Sequence, residues 1–191
     1  MSAIYDLADD YVVRYAALSP NSATGMGIPG HETELTDFSP DGHEARTQLD
    51  RDTLAAIEAA PVEDERDRVA RDAMAEGLRL SLELDAAGQH YRSINVLASP
   101  SQSLRRVFDL MPRETEEHWS NIAARLAAMP EAMAGYRRTL DASIERGTPG
   151  TQRQAAACAL QAAAWSGSGG APPLFDGPVA GLQGARVRCA R

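Results

Sequence analysis

The sequence predicts an all-α protein: an antiparallel bundle or array of six to seven helices followed by a disordered carboxy-terminal tail. Three observations carry this expectation. Apolar residues recur at spacings of three and four across most of the first 165 positions. Caps, prolines and glycines punctuate those stretches where helices should start and stop. From Ser166 onward the periodicity is lost, and six Gly and three Pro fall within the last 26 residues. The expected organisation is a helical domain over 1–165 and a flexible tail over 166–191.

Each element has its own justification. Over 3–18, Ile4, Leu7, Tyr11, Val12, Tyr15 and Leu18 share a helical face, and Pro20 is expected to close the helix. Asn21 to Ser39 is rich in Gly, Pro, Ser and Thr without a sustained period and reads as a loop. Ser39-Pro40-Asp41 is a helix start, with a hydroxyl cap, proline in the first turn and a dipole-favoured acid. Pro61 should stop that helix after about Ala60. The charged stretch from Glu63 runs into Leu78, Leu80, Leu82 and Leu84. That alternation is locally strand-like, but strong helix formers precede it without a turn, so a helix is expected to Ala87 with Gly88 beyond its end.

Residues 91–99, YRSINVLAS, form a short β-branched run read as extended or irregular, and Pro100-Ser101 opens a short helix ending before Pro112. Trp119, Ile122, Leu126 and Met129 make one stripe; Met133, Tyr136, Leu140 and Ile144 make another, ending at Gly147. Pro130 is expected to open the second helix, so the two stripes should form a hairpin around one core. Thr151 to Trp165 reads as a final Ala- and Gln-rich helix.

Composition excludes several classes of function. A chain of 191 residues fits one ordinary domain and can bury roughly 70% of its unfolded surface without staples. It carries 27 acids against 19 bases, a net charge of −8, which disfavours nucleic acid or an anionic membrane as partner. Every base is Arg, so lysine chemistry is absent. Residues 1–165 hold 16 Arg and 26 acids, a charge of −10, leaving +2 on the tail. Two cysteines, Cys158 and Cys189, cannot build a disulfide framework or a four-cysteine zinc site. The acidic opening lacks the basic start of a signal peptide, and no run approaches the length of a membrane span. A soluble, cytoplasmic protein is expected.

Motifs that carry chemistry are weak. Gly25-Met26-Gly27-Ile28-Pro29-Gly30 matches a dinucleotide fingerprint, with Asp50 and Asp52 downstream. The expected context is wrong, because a helix precedes it, the next helix starts at Ser39, and Pro29 removes an amide from the turn. His31-Glu32 and His43-Glu44 lack a second His four residues on, and His90 and His118 sit apart, so no zincin helix is expected. No G-x-S-x-G elbow occurs, and Cys158 reads as a small core residue rather than a thiolate. Arg105 and Arg106 are the weak anion-binding candidates, against an ion pair from Arg105 to Asp109 on a solvated face. No catalytic, cofactor or metal residue is assigned.

Two stretches do resemble a known family. Leu18-Ser19-Pro20, Ala23-Thr24-Gly25, Gly27 to His31 and Leu35 to Pro40 form the first. Ile94 to Pro100, Gln102-Ser103 and Phe108 to Pro112 form the second. Over roughly residues 3 to 182 the chain is similar to the amino-terminal part of the bacterial family of domain of unknown function eight-eight-five. The resemblance implies a largely helical fold and, in longer members, a gluzincin-like zinc peptidase or hydrolase. Their presumed metal motif, a His-Glu pair followed by Pro-Gly-His-His, has no counterpart here, and Pro29-Gly30-His31-Glu32 carries its pieces in another order.

Zinc is thus expected only in full-length members, no functional residue carries over, and the isolated chain is expected to be inactive. The missing carboxy-terminal portion of the family fold is the candidate partner. The ending GARVRCAR departs from a helical continuation, as a truncated or frame-shifted terminus would. Two alternatives stay open: a small helical protein-binding module, or a truncated product without function.

Overall fold

The computed structural model describes residues 2–168, 170, 172, 173 and 176. The expected tail falls largely outside these, as does Cys189. Seven α-helices and one 3₁₀ helix occur among the described residues, with no strand. They divide into two compact units, one within Met1–Ser93 and Ser99–Pro149, the other within Ile94–Ala98 and Gly150–Arg191. None of these helices is long and apolar enough to cross a membrane.

In the larger unit, α1 spans Ala3–Leu18. Ile4 and Ala16 are buried, and Leu7, Tyr11, Tyr15 and Leu18 half-buried, as the period requires. Val12 is exposed, against expectation, because it sits about 100° around the helix from Tyr11. The chain does not loop out at Pro20. Instead, α2 runs Pro20–Met26, so the expected loop from Asn21 begins only at Gly27. Proline in a first turn needs no amide partner and therefore starts this helix as readily as it ends the preceding one. Gly27, at φ 73°, supplies the left-handed residue that terminates it.

Helix α3 spans Pro40–Ala59, and its Ser39 hydroxyl accepts from the Gly42 amide at 3.2 Å, as the capping signature predicts. Helix α4 spans Glu65–Ala86, capped by Asp64, which accepts from the Asp67 amide at 2.9 Å. Ile4, Ile57 and Ala75 form the buried centre where α1, α3 and α4 meet, flanked by Leu7, Leu54, Ala70 and Met74. Gly88, at φ 67°, turns the chain into the 3₁₀ helix Gln89–Arg92, so the run expected to be irregular from Tyr91 starts two residues later.

Helix α5 spans Pro100–Leu110 and opens on a capping box between Ser99 and Gln102. Its Leu104, Val107 and Phe108 are buried, and α5 packs on α2 and α6. Helix α6 runs unbroken from Glu116 to Glu145, 30 residues with Pro130 inside. At 1.5 Å per residue it is about 45 Å long. The expected hairpin at Met129-Pro130 therefore does not exist.

Three features explain the continuity. No Gly or Asn precedes Pro130 to supply a left-handed stop, and the flanking sequence AARLAAMPEAM is dense in strong helix formers. Pro130 is also exposed, so water can hydrate the carbonyl its ring leaves unpaired. The buried face of α6 differs from the predicted stripes too: Ile122, Arg125, Gly135, Tyr136, Thr139 and Ser143 are buried, while Met133 and Ile144 are exposed.

The smaller unit contains α7, Gln152–Trp165, capped by Thr151, which accepts from the Gln154 amide at 3.3 Å. Within it, the Gln161 amide donates to the Val96 carbonyl at 3.3 Å.

Candidate functional site

Two features of the larger unit bring distant polar residues together. The first is a strap, residues 28–39, laid along α6. Arg125 is 0% exposed. Its Nε donates to the Glu34 carbonyl at 2.9 Å, and its Nη2 donates to the His31 carbonyl at 2.6 Å and Thr24 Oγ1 at 2.7 Å. Farther along α6, Thr139 Oγ1 donates to the Phe38 carbonyl at 2.6 Å, and Gly135 leaves room for the Asp37 carboxylate. At the far side of the strap, Asn21 and Thr36 pair reciprocally: the Asn21 amide donates to Thr36 Oγ1 at 3.0 Å and the Thr36 amide to Asn21 Oδ1 at 2.9 Å. The glycine motif thus belongs to the end of α2 and the beginning of this strap, ahead of α3.

The second feature is a polar cavity of about 240 Å³ lined from α1, α3, α4 and the 3₁₀ helix by Tyr15, His43, Arg46, Asp50, Asp85 and His90, among others. Spacings of three and four put His43, Arg46 and Asp50 on one face of α3. Gly88 turns the chain so that the His90 ring stacks on His43, centroids 4.5 Å apart and planes 25° apart. Arg46 donates from Nη1 to the carbonyls of Leu18 at 3.2 Å and Asp37 at 2.8 Å, and its Nη2 lies 3.2 Å from His43 Nδ1.

A guanidinium only donates, so His43 Nδ1 is the acceptor and the ring proton sits on Nε2. That Nε2–H is buried and finds no partner among the described residues. His90 Nδ1 lies 3.1 Å from Asp85 Oδ1 and must donate to the carboxylate, leaving its Nε2 as an acceptor. Asp50 accepts from Tyr11 at 2.9 Å and from Ser81 at 2.6 Å.

Electrostatics follow from this packing. Burial pushes His43 down to about 3, with Arg46 and His90 adding to the effect and Asp37 opposing it. Burial also lowers His90, partly countered by Asp85. Tyr11 is raised by burial and by the Asp50 charge that it faces. His43 is therefore neutral at physiological pH and cannot exchange protons there. The His90–Asp85 pair could accept a proton at Nε2, but Ser81, the serine beside it in the lining, is bound to Asp50.

The residues singled out from sequence are mostly scattered. His31 Nδ1 pairs with Glu34 at 3.0 Å. Glu32 turns back onto the Gly30 amide at 2.9 Å, and that backbone contact, ahead of Arg125, holds its carboxyl below the usual range. Glu44 pairs with Arg51 at 2.8 Å. His118 Nδ1 accepts from the Thr115 amide at 3.3 Å, in a capping box at the start of α6.

Arg105 and Arg106 lie on α5: Arg105 is ion-paired with Asp109, and Arg106 is exposed. Cys158, on α7, is half-buried, and burial pushes its thiol up. No cluster of three His, Cys, Asp or Glu side chains suited to a metal occurs among the described residues.

Sequence reasoning missed the His43–His90 stack, because the two rings belong to different elements and share no spacing. It also missed Arg125, although a signal existed: Arg125 falls three after Ile122 and four before Met129, on the stripe itself.

No curated protein is significantly similar to this sequence. Residues 20–190, most of the chain, match the family described as bacterial protein of unknown function, DUF885. The paired stretches around Asn21–Thr36 and Ser99–Gln102 fall inside that match, and the chain belongs to this family.

Proposed function

We propose that this chain is a helical, non-catalytic portion of a metal-dependent peptidase- or hydrolase-like fold, inactive alone, whose catalytic metal ligands lie outside this sequence. The observation that carries the reading is the arrangement of the histidines. His43 and His90 meet face to face, a geometry that gives shape rather than chelation, while His31 and His118 serve a strap and a helix cap. Resemblance to the amino-terminal part of longer family members supports the same reading, with their carboxy-terminal portion as the partner. The acidic opening, without the basic start of a signal peptide, supports the cytoplasm as the compartment. Zinc would belong to that complete fold.

The test is metal analysis of the dialysed chain together with hydrolysis of a quenched-fluorescent peptide library. Neither stoichiometric zinc nor turnover is expected. One zinc held per chain, or chelator-sensitive hydrolysis, would sink the proposal.

A protein-binding role is the second reading, favoured by an apolar groove of about 400 Å³ between α1 and α4, lined by Tyr5, Val69, Ala70 and Ala73. Tyr5 and Val69 in that lining are exposed.

A further inference from the structure

We propose that the cavity between α1, α3, α4 and the 3₁₀ helix is a binding site for a small, neutral, polyhydroxylated molecule of monosaccharide or cyclic-polyol size. Several groups in the cavity are already engaged. Arg46 is held by two backbone carbonyls and His43. Asp50 is held by two hydroxyls, and Asp85 by His90. Every formal charge lining the space therefore already has a partner within the protein.

What remains is neutral. Tyr15 and Gln89 line the cavity and make no side-chain hydrogen bond within the described residues. His90 Nε2 is an acceptor, and the Tyr15 hydroxyl and the Gln89 amide can each donate or accept. Such a set contains both donors and acceptors, and a hydroxyl is the group that can serve either at each position. A carboxylate would meet Asp50 and Asp85 with one arginine to offset them. An ammonium would offer nothing to the Tyr15 and Gln89 donors.

The Tyr15 ring and Leu84 add an apolar wall, which suits the C–H face of a sugar ring. At about 240 Å³ the space is below the range of drug-sized pockets, which limits the occupant to one ring. Nothing in this assignment depends on the peptidase-like reading: the site stands or falls on the cavity's own groups.

Ligand-observed saturation-transfer NMR on the full chain tests it. The probes are D-glucose and myo-inositol, compared with glucuronate and glucosamine, which carry a carboxylate or an ammonium on a similar ring skeleton. The neutral probes should bind in the millimolar range and the charged ones about tenfold more weakly. Tyr15→Phe and Gln89→Ala keep the fold, since one retains the ring and the other alters an exposed side chain. Each removes a neutral hydrogen bond and should weaken binding about 3- to 10-fold. Absence of transfer from both neutral probes at about 50 mM, equal binding of a charged probe, or binding unchanged in both variants would each overturn the proposal.

Discussion

Replacing Pro130 by Ala should make this protein more stable, and the sign of the change is diagnostic. Pro130 lies inside α6, fourteen residues from its first residue, Glu116, and fifteen from its last, Glu145. An interior proline lacks the amide that would bond to the Leu126 carbonyl, and its ring crowds that oxygen. The penalty relative to Ala is about 3 kcal/mol. Alanine also frees the unfolded chain, which returns about 0.4–1 kcal/mol of that gain. Because Pro130 is exposed, its ring contributes little packing to lose. The net expectation is about 2 kcal/mol of added stability, equivalent to a rise in Tm of roughly 4–8 °C for a domain of this size.

Urea titration followed by far-ultraviolet circular dichroism measures it, with an unchanged m-value showing that the cooperative unit is the same. Had Pro130 opened a separate helix, it would occupy the first turn, where proline is favoured and Ala brings no gain. A midpoint that stays put or falls would refute the continuous helix.

Three further outcomes follow from the strap and the cavity. Arg125→Met keeps much of the side-chain volume but removes the donors to the His31 and Glu34 carbonyls and to Thr24 Oγ1, so stability should drop by about 1–3 kcal/mol; a neutral result in denaturant titration would mean that the strap does not depend on this guanidinium. Gly42→Ala should lose about 1–3 kcal/mol, because its new Cβ would lie 2.4 Å from the Asp37 backbone oxygen, and an unchanged melting temperature would show that the α3 entrance is looser than it looks.

His43 sits near 3 when folded, against an ordinary value of 6.5, mainly through burial. The unfolded chain therefore binds more protons between those values, so this stabilisation is full above about pH 6.5 and lost as pH falls. His43→Gln should flatten the decline between about pH 6 and 4 by up to about 1.4 kcal/mol per pH unit, and parallel curves for the two proteins would contradict the burial argument.

Little of the candidate cavity was legible in advance. His43, Arg46 and Asp50 could be placed on one face of α3 from spacing alone, but nothing in that spacing shows what they face. His90 reaches them only because Gly88 adopts φ 67° after α4 and turns the chain back. The strap was equally hidden: a stretch without period, its contacts to Arg125 and Thr139 link positions some hundred residues apart.

By itself, the sequence determined the helical class, the starts at Ser39 and Pro100, and the stop beyond α4, since caps and periods act within a few residues. It placed α7 between Thr151 and Trp165 for the same reason. Only the tertiary structure decided that Pro20 begins a helix as well as following one, and that Pro130 does not break α6. A proline signals the same local constraint at a first turn and in an interior; which position it occupies depends on what the neighbouring turns pack against. Arg125 and Thr139 hold α6 to the strap on either side of Pro130, and contacts of that range outweigh a local penalty of a few kcal/mol.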